Sequence, residues 1–292
     1  MNTTLIEPVT QQINSATRAA PRVALRTRGA GHGPITRLAS PGDVGARIKP
    51  FVFLDRFEAD PANAPRFGWH PHSGIATLTL LLEGQASYEE TSGQKGILEA
   101  GGVEWMRAGG GVWHTSGFGG RERVKGFQLW VALPPELENG PNQSRYLRAS
   151  EVPQAGPARI VLGNHEGMQS PIPCPPDINY LDVRLKAGER WTYVVPAGHD
   201  VVWLSVYRGA LLAPVAVADG ELVVLEQSAG SSGGLEFEAG DAAAFILGSA
   251  RRHPHDLVLG YYSVHTTAAA LAKGEAEIQR IGLQLRAAGV LR

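Results

Sequence analysis

This chain of 292 residues lacks an excess of either charge. There are 27 Lys and Arg against 28 Asp and Glu, a formal net charge of -1. That balance argues against nucleic acid or a membrane surface as a direct partner, since both call for a basic field. Cysteine is nearly absent. A single residue, Cys174, excludes a disulfide framework within the chain and fits a reducing compartment. It stands between Pro173 and Pro175, without the cations or helix start that lower a thiol pKa, so a reactive role is not expected. No apolar run approaches the ~18 residues that span a bilayer. No basic stretch followed by an apolar segment opens the chain, and a cytoplasmic location is expected.

What is present is apolar and turn-rich. Hydrophobic residues make up 43%, which rules out disorder for most of the chain. The 36 glycines and 20 prolines exceed the ~12% of average usage and follow no collagen-like period. Such a composition predicts many short strands joined by turns. Ala76, Leu78, Leu80 and Leu82 alternate with Thr77 and Thr79, as do Phe127, Leu129, Val131 and Leu133 with their neighbours. Val201–Tyr207 and Leu257–Val264 read as further strands. Residues 1–21 read as a loosely held arm, and the Ser228–Gly234 run as a flexible loop. Leu271, Ile278, Ile281 and Leu285 fall at helical spacing, although Gly274 and Gly282 weaken that helix.

The halves echo each other. Leu82-Glu-Gly84-Gln85 resembles Tyr207-Arg-Gly209-Ala210, and Leu98-Glu-Ala-Gly101 resembles Phe237-Glu-Ala-Gly240. A duplicated β domain would divide near Ser150-Glu-Val-Pro153.

The nine histidines are unevenly placed. His70 and His72 precede the strand from Ile75, and alternation puts both rings on one side. If it runs on unbroken, that is the side of Leu78, Leu80 and Leu82, the expected barrel interior. Two inward imidazoles need partners for their nitrogens, and a metal provides one. The bland alternative is a pair of partly exposed loop histidines. His114 follows about 40 residues on, after the Gly109-Gly-Gly111 turn, a separation that suits a return to the same cavity. Three imidazoles with an open position suit Fe, Ni, Cu, Mn or Zn rather than Mg or Ca. His253-Pro-His255 sits beside Arg251, Arg252 and Asp256 and reads as a polar turn. His32, His165, His199 and His265 read as structural. Trp69, Trp105, Trp113 and Trp130 read as core residues, with Trp113 also able to wall a cavity for a planar ligand.

Phe51-Val-Phe-Leu-Asp55, Trp69-His-Pro-His-Ser-Gly74, Leu81-Leu-Glu-Gly84, Val103-Glu-Trp-Met-Arg-Ala-Gly109, Gly111-Val-Trp-His114 and Gly126-Phe-Gln-Leu-Trp-Val131 resemble the pirin family in order and spacing. The resemblance covers about residues 23–265, most densely 50–135. It implies an all-β fold: two jelly-roll (cupin) β-barrels in tandem, with the helical segment as a C-terminal α-helix. The division becomes an arm at 1–21, an N-terminal barrel at 22–150, a C-terminal barrel at 151–265 in which no metal is expected, and the helix at 266–292. It also implies one divalent transition metal, iron first and Ni, Cu, Mn, Zn or Co as alternatives. Its ligands carry over to His70, His72 and His114. The fourth ligand of the family is a glutamate two positions later, and here that position is Ser116. The family's Arg and Glu after His-Pro-His are Ser73 and Ala76. Glu104 is the nearest replacement carboxylate on a neighbouring strand, although its default reading is solvent-facing. Counted from the glycine echoes, the second-half counterparts are Val195 and Ala197 for the His pair and His253 for His114.

Two functions follow from the resemblance. One is a dioxygenase that opens quercetin-type flavonols or related aromatic substrates, with the Ser116 change removing a carboxylate that serves as ligand and base. The other is a catalytically weak cupin that senses a ligand or metal, or engages a protein partner. A small aromatic ligand and a monomeric chain are the further expectations.

Overall fold

The computed structural model describes residues 21–64, 67–226 and 234–291. The expected arm, apart from Pro21, and residues 228–233 of the expected flexible loop lie outside these.

The short alternating segments form two β barrels, each made of a seven-stranded and a four-stranded sheet with antiparallel pairing throughout. In the first barrel the large sheet runs Gln143–Leu147, Val103–Arg107, Ile75–Glu83, Val124–Ala132, Phe51–Ala59, Ile35–Ala39, Ala30–His32. Its small sheet runs Phe67–His72, Val112–Gly119, Gln85–Glu90, Lys95–Glu99. The second barrel repeats the plan. Its large sheet is Val23–Thr27, Leu222–Leu225, Val201–Arg208, Ala243–Ala250, Ile178–Leu185, Ala158–Leu162, Gln154–Ala155. Arg190–Val194, Gly234–Ala239, Ala210–Ala213 and Val217–Ala218 form the small one.

The shared plan corrects one of the two echoes. Gly84 and Gly209, with φ of 77° and 70°, do end corresponding strands. The counterpart of Gly101 is Gly220 rather than Gly240: Gly101 N donates to Leu81 O, and Gly220 N donates to Val206 O. The second-barrel hairpin is shorter, so counting along the chain had matched the wrong turn. His253 consequently lies beyond the strand Ala243–Ala250, outside the equivalents of the histidine strands, and its ring bonds the Leu133 carbonyl at 3.2 Å.

One strand crosses between barrels. Val23–Thr27 pairs with Leu222–Leu225 at the edge of the second barrel's large sheet, so it departs from the expected division, which places residues 22–150 in the first. The matching edge of the first barrel is filled by Gln143–Leu147 against Val103–Arg107.

The two large sheets stack back to back. Leu54, Leu78, Trp105 and Phe127 meet Tyr180, Trp203 and Ile246 in one continuous core. The face carrying Ala76, Leu78 and Leu80 therefore looks towards the other barrel, not into its own interior. The alternation breaks at Ser73-Gly74, where the chain leaves the small sheet for the large one. Gly74 has φ of 74°, and a Cβ there would lie 2.0 Å from Val264 O, so only glycine fits. The parity flip puts Thr77 and Thr79 on the interior face with the histidines.

Leu257–Val264 is not one strand. It is a hairpin, Val258–Gly260 against Ser263–His265, turning at Tyr261-Tyr262 with Tyr262 at φ of 52°. The C-terminal helix Ala268–Ala287 follows, its Thr267 side chain accepting from Ala270 N. Gly274, Ile278 and Gly282 form its buried line. Both glycines stand where the helix backbone closes on the first barrel, near Ser73 and His265 and near Trp113. Among the described residues no helix is long and apolar enough to cross a membrane.

Candidate metal centre

Among the described residues, apolar side chains pack the second barrel's interior. Trp191, Tyr193, Leu235 and Phe237, from the strands equivalent to the histidine strands, pack with Leu204, Phe245 and Leu247. The first barrel instead encloses a cavity of about 510 Å³ between its two sheets. His70 and His72 reach it from the strand Phe67–His72 and His114 from Val112–Gly119. His114 lies directly opposite His70 in the antiparallel register, so one strand pair delivers two of the three rings.

The three rings converge, with one nitrogen from each lying within 4.8 Å of the others. The Nε2 atoms of His72 and His114 are 3.1 Å apart. His70 Nδ1 lies 2.8 Å from the Gly68 carbonyl and His72 Nδ1 lies 3.0 Å from the Tyr262 carbonyl. A carbonyl only accepts, so each Nδ1 carries the proton and each Nε2 keeps a lone pair for the cavity. Burial pushes all three pKa values down, His72 to about 3 and His114 well below its ordinary value. The rings are therefore neutral at pH 7, and the Nε2 lone pairs of His70 and His72 face the cavity. Such lone pairs repel each other unless a proton or a cation lies between them. This donor set fits a divalent transition metal.

Ser116 lines the same cavity, and a register shift separates it from His114 along the strand. Glu104 contradicts its solvent-facing reading. It is 6% exposed and points inward, its Oε1 3.9 Å from His114 Nδ1. Thr79 Oγ1, directly across the strand pair, donates to its Oε2 at 2.7 Å. Burial raises its pKa to about 7, against the lowering effect of the Thr79 hydrogen bond.

The aromatic wall differs from expectation. Trp113 faces away, its Nε1 donating to Ile278 O at 2.7 Å and so anchoring the C-terminal helix. Trp105 belongs to the core between the barrels. The wall is Trp130, edge-on to His72 at 5.0 Å and stacked on Phe53 at 4.2 Å, joined at the mouth by Trp69 and Tyr262. Arg37 lies 4.2 Å over the Phe53 ring and holds Asp55 through two hydrogen bonds of 2.7 and 2.9 Å. Tyr262 carried no signal, since it lies 190 residues from His72. Phe53 and Asp55 lay within a recognised motif, but its pattern does not tell which of its side chains face inward.

Known proteins supply the comparison. The family described as Pirin matches residues 35–131. A Pseudomonas aeruginosa protein named "Putative quercetin 2,3-dioxygenase PA3240" is 32% identical over 225 residues, 71% of this chain and 78% of that one. A pirin-like protein of Caulobacter vibrioides is 34% identical, over 55% of this chain and 61% of its own. Among solved structures, a quercetin 2,3-dioxygenase from Acinetobacter baumannii superposes with a TM-score of 0.74 at 23% identity, covering 89% of this chain and 95% of that one. The Escherichia coli pirin YhhW in complex with nickel(II) gives 0.62 at 19% identity, covering 77% and 95%. At these identities the two structures speak for the fold.

Proposed function

This chain belongs to the pirin family, and from that premise we propose that it is a metal-dependent dioxygenase acting on quercetin-type flavonols or related planar aromatic substrates. The observation that carries the proposal is the meeting of three buried imidazoles, one nitrogen of each within 4.8 Å of the others, in the wall of an aromatic-lined cavity of about 510 Å³. The name of the Pseudomonas relative supports the substrate class.

His70, His72 and His114 would hold the metal, with iron as the first candidate. When bound, such a metal supplies a Lewis acid for a substrate oxygen and a redox centre for dioxygen. The protein contributes the rest. The Gly68 and Tyr262 carbonyls fix the ring tautomers, so the ligand nitrogens are preorganised. Trp130 and Phe53 offer apolar area to a planar ring system. Arg37 is neutralised by Asp55 and so leaves the entrance without net positive charge, which suits a neutral polyphenol better than an anion.

Ser116 favours a second reading, a cavity that binds metal and ligand without turnover, because the family's carboxylate is absent from that position. One experiment separates the two: metal analysis of purified protein and of His114→Ala, with dioxygen uptake on quercetin after iron loading. One metal per chain in the wild type, lost in the variant, together with uptake, is the expected result. Metal without uptake selects the binding reading. Metal content unaffected by His114→Ala would overturn both.

A further inference from the structure

We infer that Glu104 is the positioning carboxylate of this centre: from the opposite sheet it faces His114 Nδ1, orients that ring and supplies the negative charge that Ser116 does not. The inference rests on the metal reading above.

The three rings differ behind their ligand nitrogens. His70 and His72 each give their Nδ1 proton to a backbone carbonyl. For His114 the group placed at Nδ1 is Glu104 Oε1, at 3.9 Å. Glu104 stands on Val103–Arg107, in the large sheet, and His114 on Val112–Gly119, in the small sheet, so the pair bridges the barrel interior. The Thr79 hydroxyl holds the other carboxylate oxygen at 2.7 Å.

A carboxylate this buried is costly unless a positive charge faces it. Among the described residues, His114 is its one ion-pair partner. Arg37 is committed to Asp55. The other buried acid nearby, Glu90, is satisfied by the Ser144 and Tyr146 hydroxyls at 2.7 Å each. A divalent ion on three neutral imidazoles leaves two positive charges in a buried site. A carboxylate behind His114 removes one of them and raises the basicity of the ring that binds the ion. Carboxylates hydrogen-bonded behind a ligating histidine strengthen metal binding by roughly 10–100-fold, and closing the 3.9 Å gap when the ion binds would make that bond.

The test is Co(II) titration of the full chain, followed by its visible absorption, for wild type, Glu104→Gln, Thr79→Val and His114→Ala. Melting of the metal-free proteins is recorded alongside. Glu104→Gln should weaken Co(II) binding roughly 10–100-fold and shift the Co(II) bands, with no loss of metal-free melting temperature. Thr79→Val, which frees the carboxylate without removing it, should weaken binding several-fold. It stands in should Glu104→Gln fail to fold. If wild type binds Co(II), His114→Ala does not, and both Glu104→Gln and Thr79→Val match wild type, the role of Glu104 falls while the metal centre stands. If wild type takes up no Co(II), the centre falls and this role with it.

Discussion

The three histidines were legible because an imidazole pair before a strand has few uses inside a barrel, and a glycine turn marked the return of the third. The direction of their neighbours was not legible. Parity depends on whether the chain stays in one sheet, and it changes sheets at Gly74. This one residue decides that Thr79, and not Leu78, shares the cavity with the rings. Gly74→Ala should lower the melting temperature by about 6 °C or more. The left-handed φ and the 2.0 Å approach to Val264 O together cost about 3 kcal/mol or more. Calorimetry would measure it, and an unchanged transition would refute the argument. Ser116→Glu tests the empty ligand position. It should tighten Ni(II) binding roughly tenfold, about 1.4 kcal/mol, and isothermal titration would show it. No change would mean that position 116 points away from the ion.

The C-terminal helix was legible from its spacing, but its glycines were read as weaknesses when they are points of contact. Gly274→Ala sets two effects against each other. Helix propensity gains about 1 kcal/mol. The new methyl would lie 2.5 Å from Ser73 Oγ and 2.6 Å from His265 Nε2, overpacking that costs about 1–3 kcal/mol. Both are buried, and His265 is also paired with Glu138 at 3.3 Å, so neither yields easily. A lower melting temperature is expected for Gly274→Ala, while the exposed Gln279→Ala stays at or above wild type; a rise for Gly274→Ala would show that the contact relaxes freely. The hairpin before the helix escaped notice because its turn, Tyr261-Tyr262, lacks the Gly, Asn or Asp that favours left-handed backbone. Its turn supplies the carbonyl that fixes His72, so an element from the end of the chain completes a site built near its beginning.

For the whole molecule, duplication was legible in turn glycines, but the pairing of halves needed the sheet order, because unequal hairpins spoil counting by offset. The buried histidines give the metal-free protein a pH signature. Burial lowers the pKa of seven rings: His70, His72, His114, His165, His199, His253 and His265. Each binds a proton more readily unfolded than folded, so stability is full above about pH 6.5 and falls as pH drops below it. Asp55 and Glu104, raised by burial, act oppositely, lending stability at low pH that is lost as pH rises, for Glu104 between 4.5 and about 7. Seven against two predicts a lower urea midpoint at pH 5 than at pH 7.5; the reverse order would refute it. The strand Val23–Thr27 has a different consequence. Cutting the chain between residues 150 and 151 would leave that strand on a fragment whose own sheets have no place for it. The other fragment would expose the backbone of Leu222–Leu225 along an open edge. Produced separately, the two pieces should therefore find each other and reassemble one to one, making this chain a natural candidate for split-protein complementation.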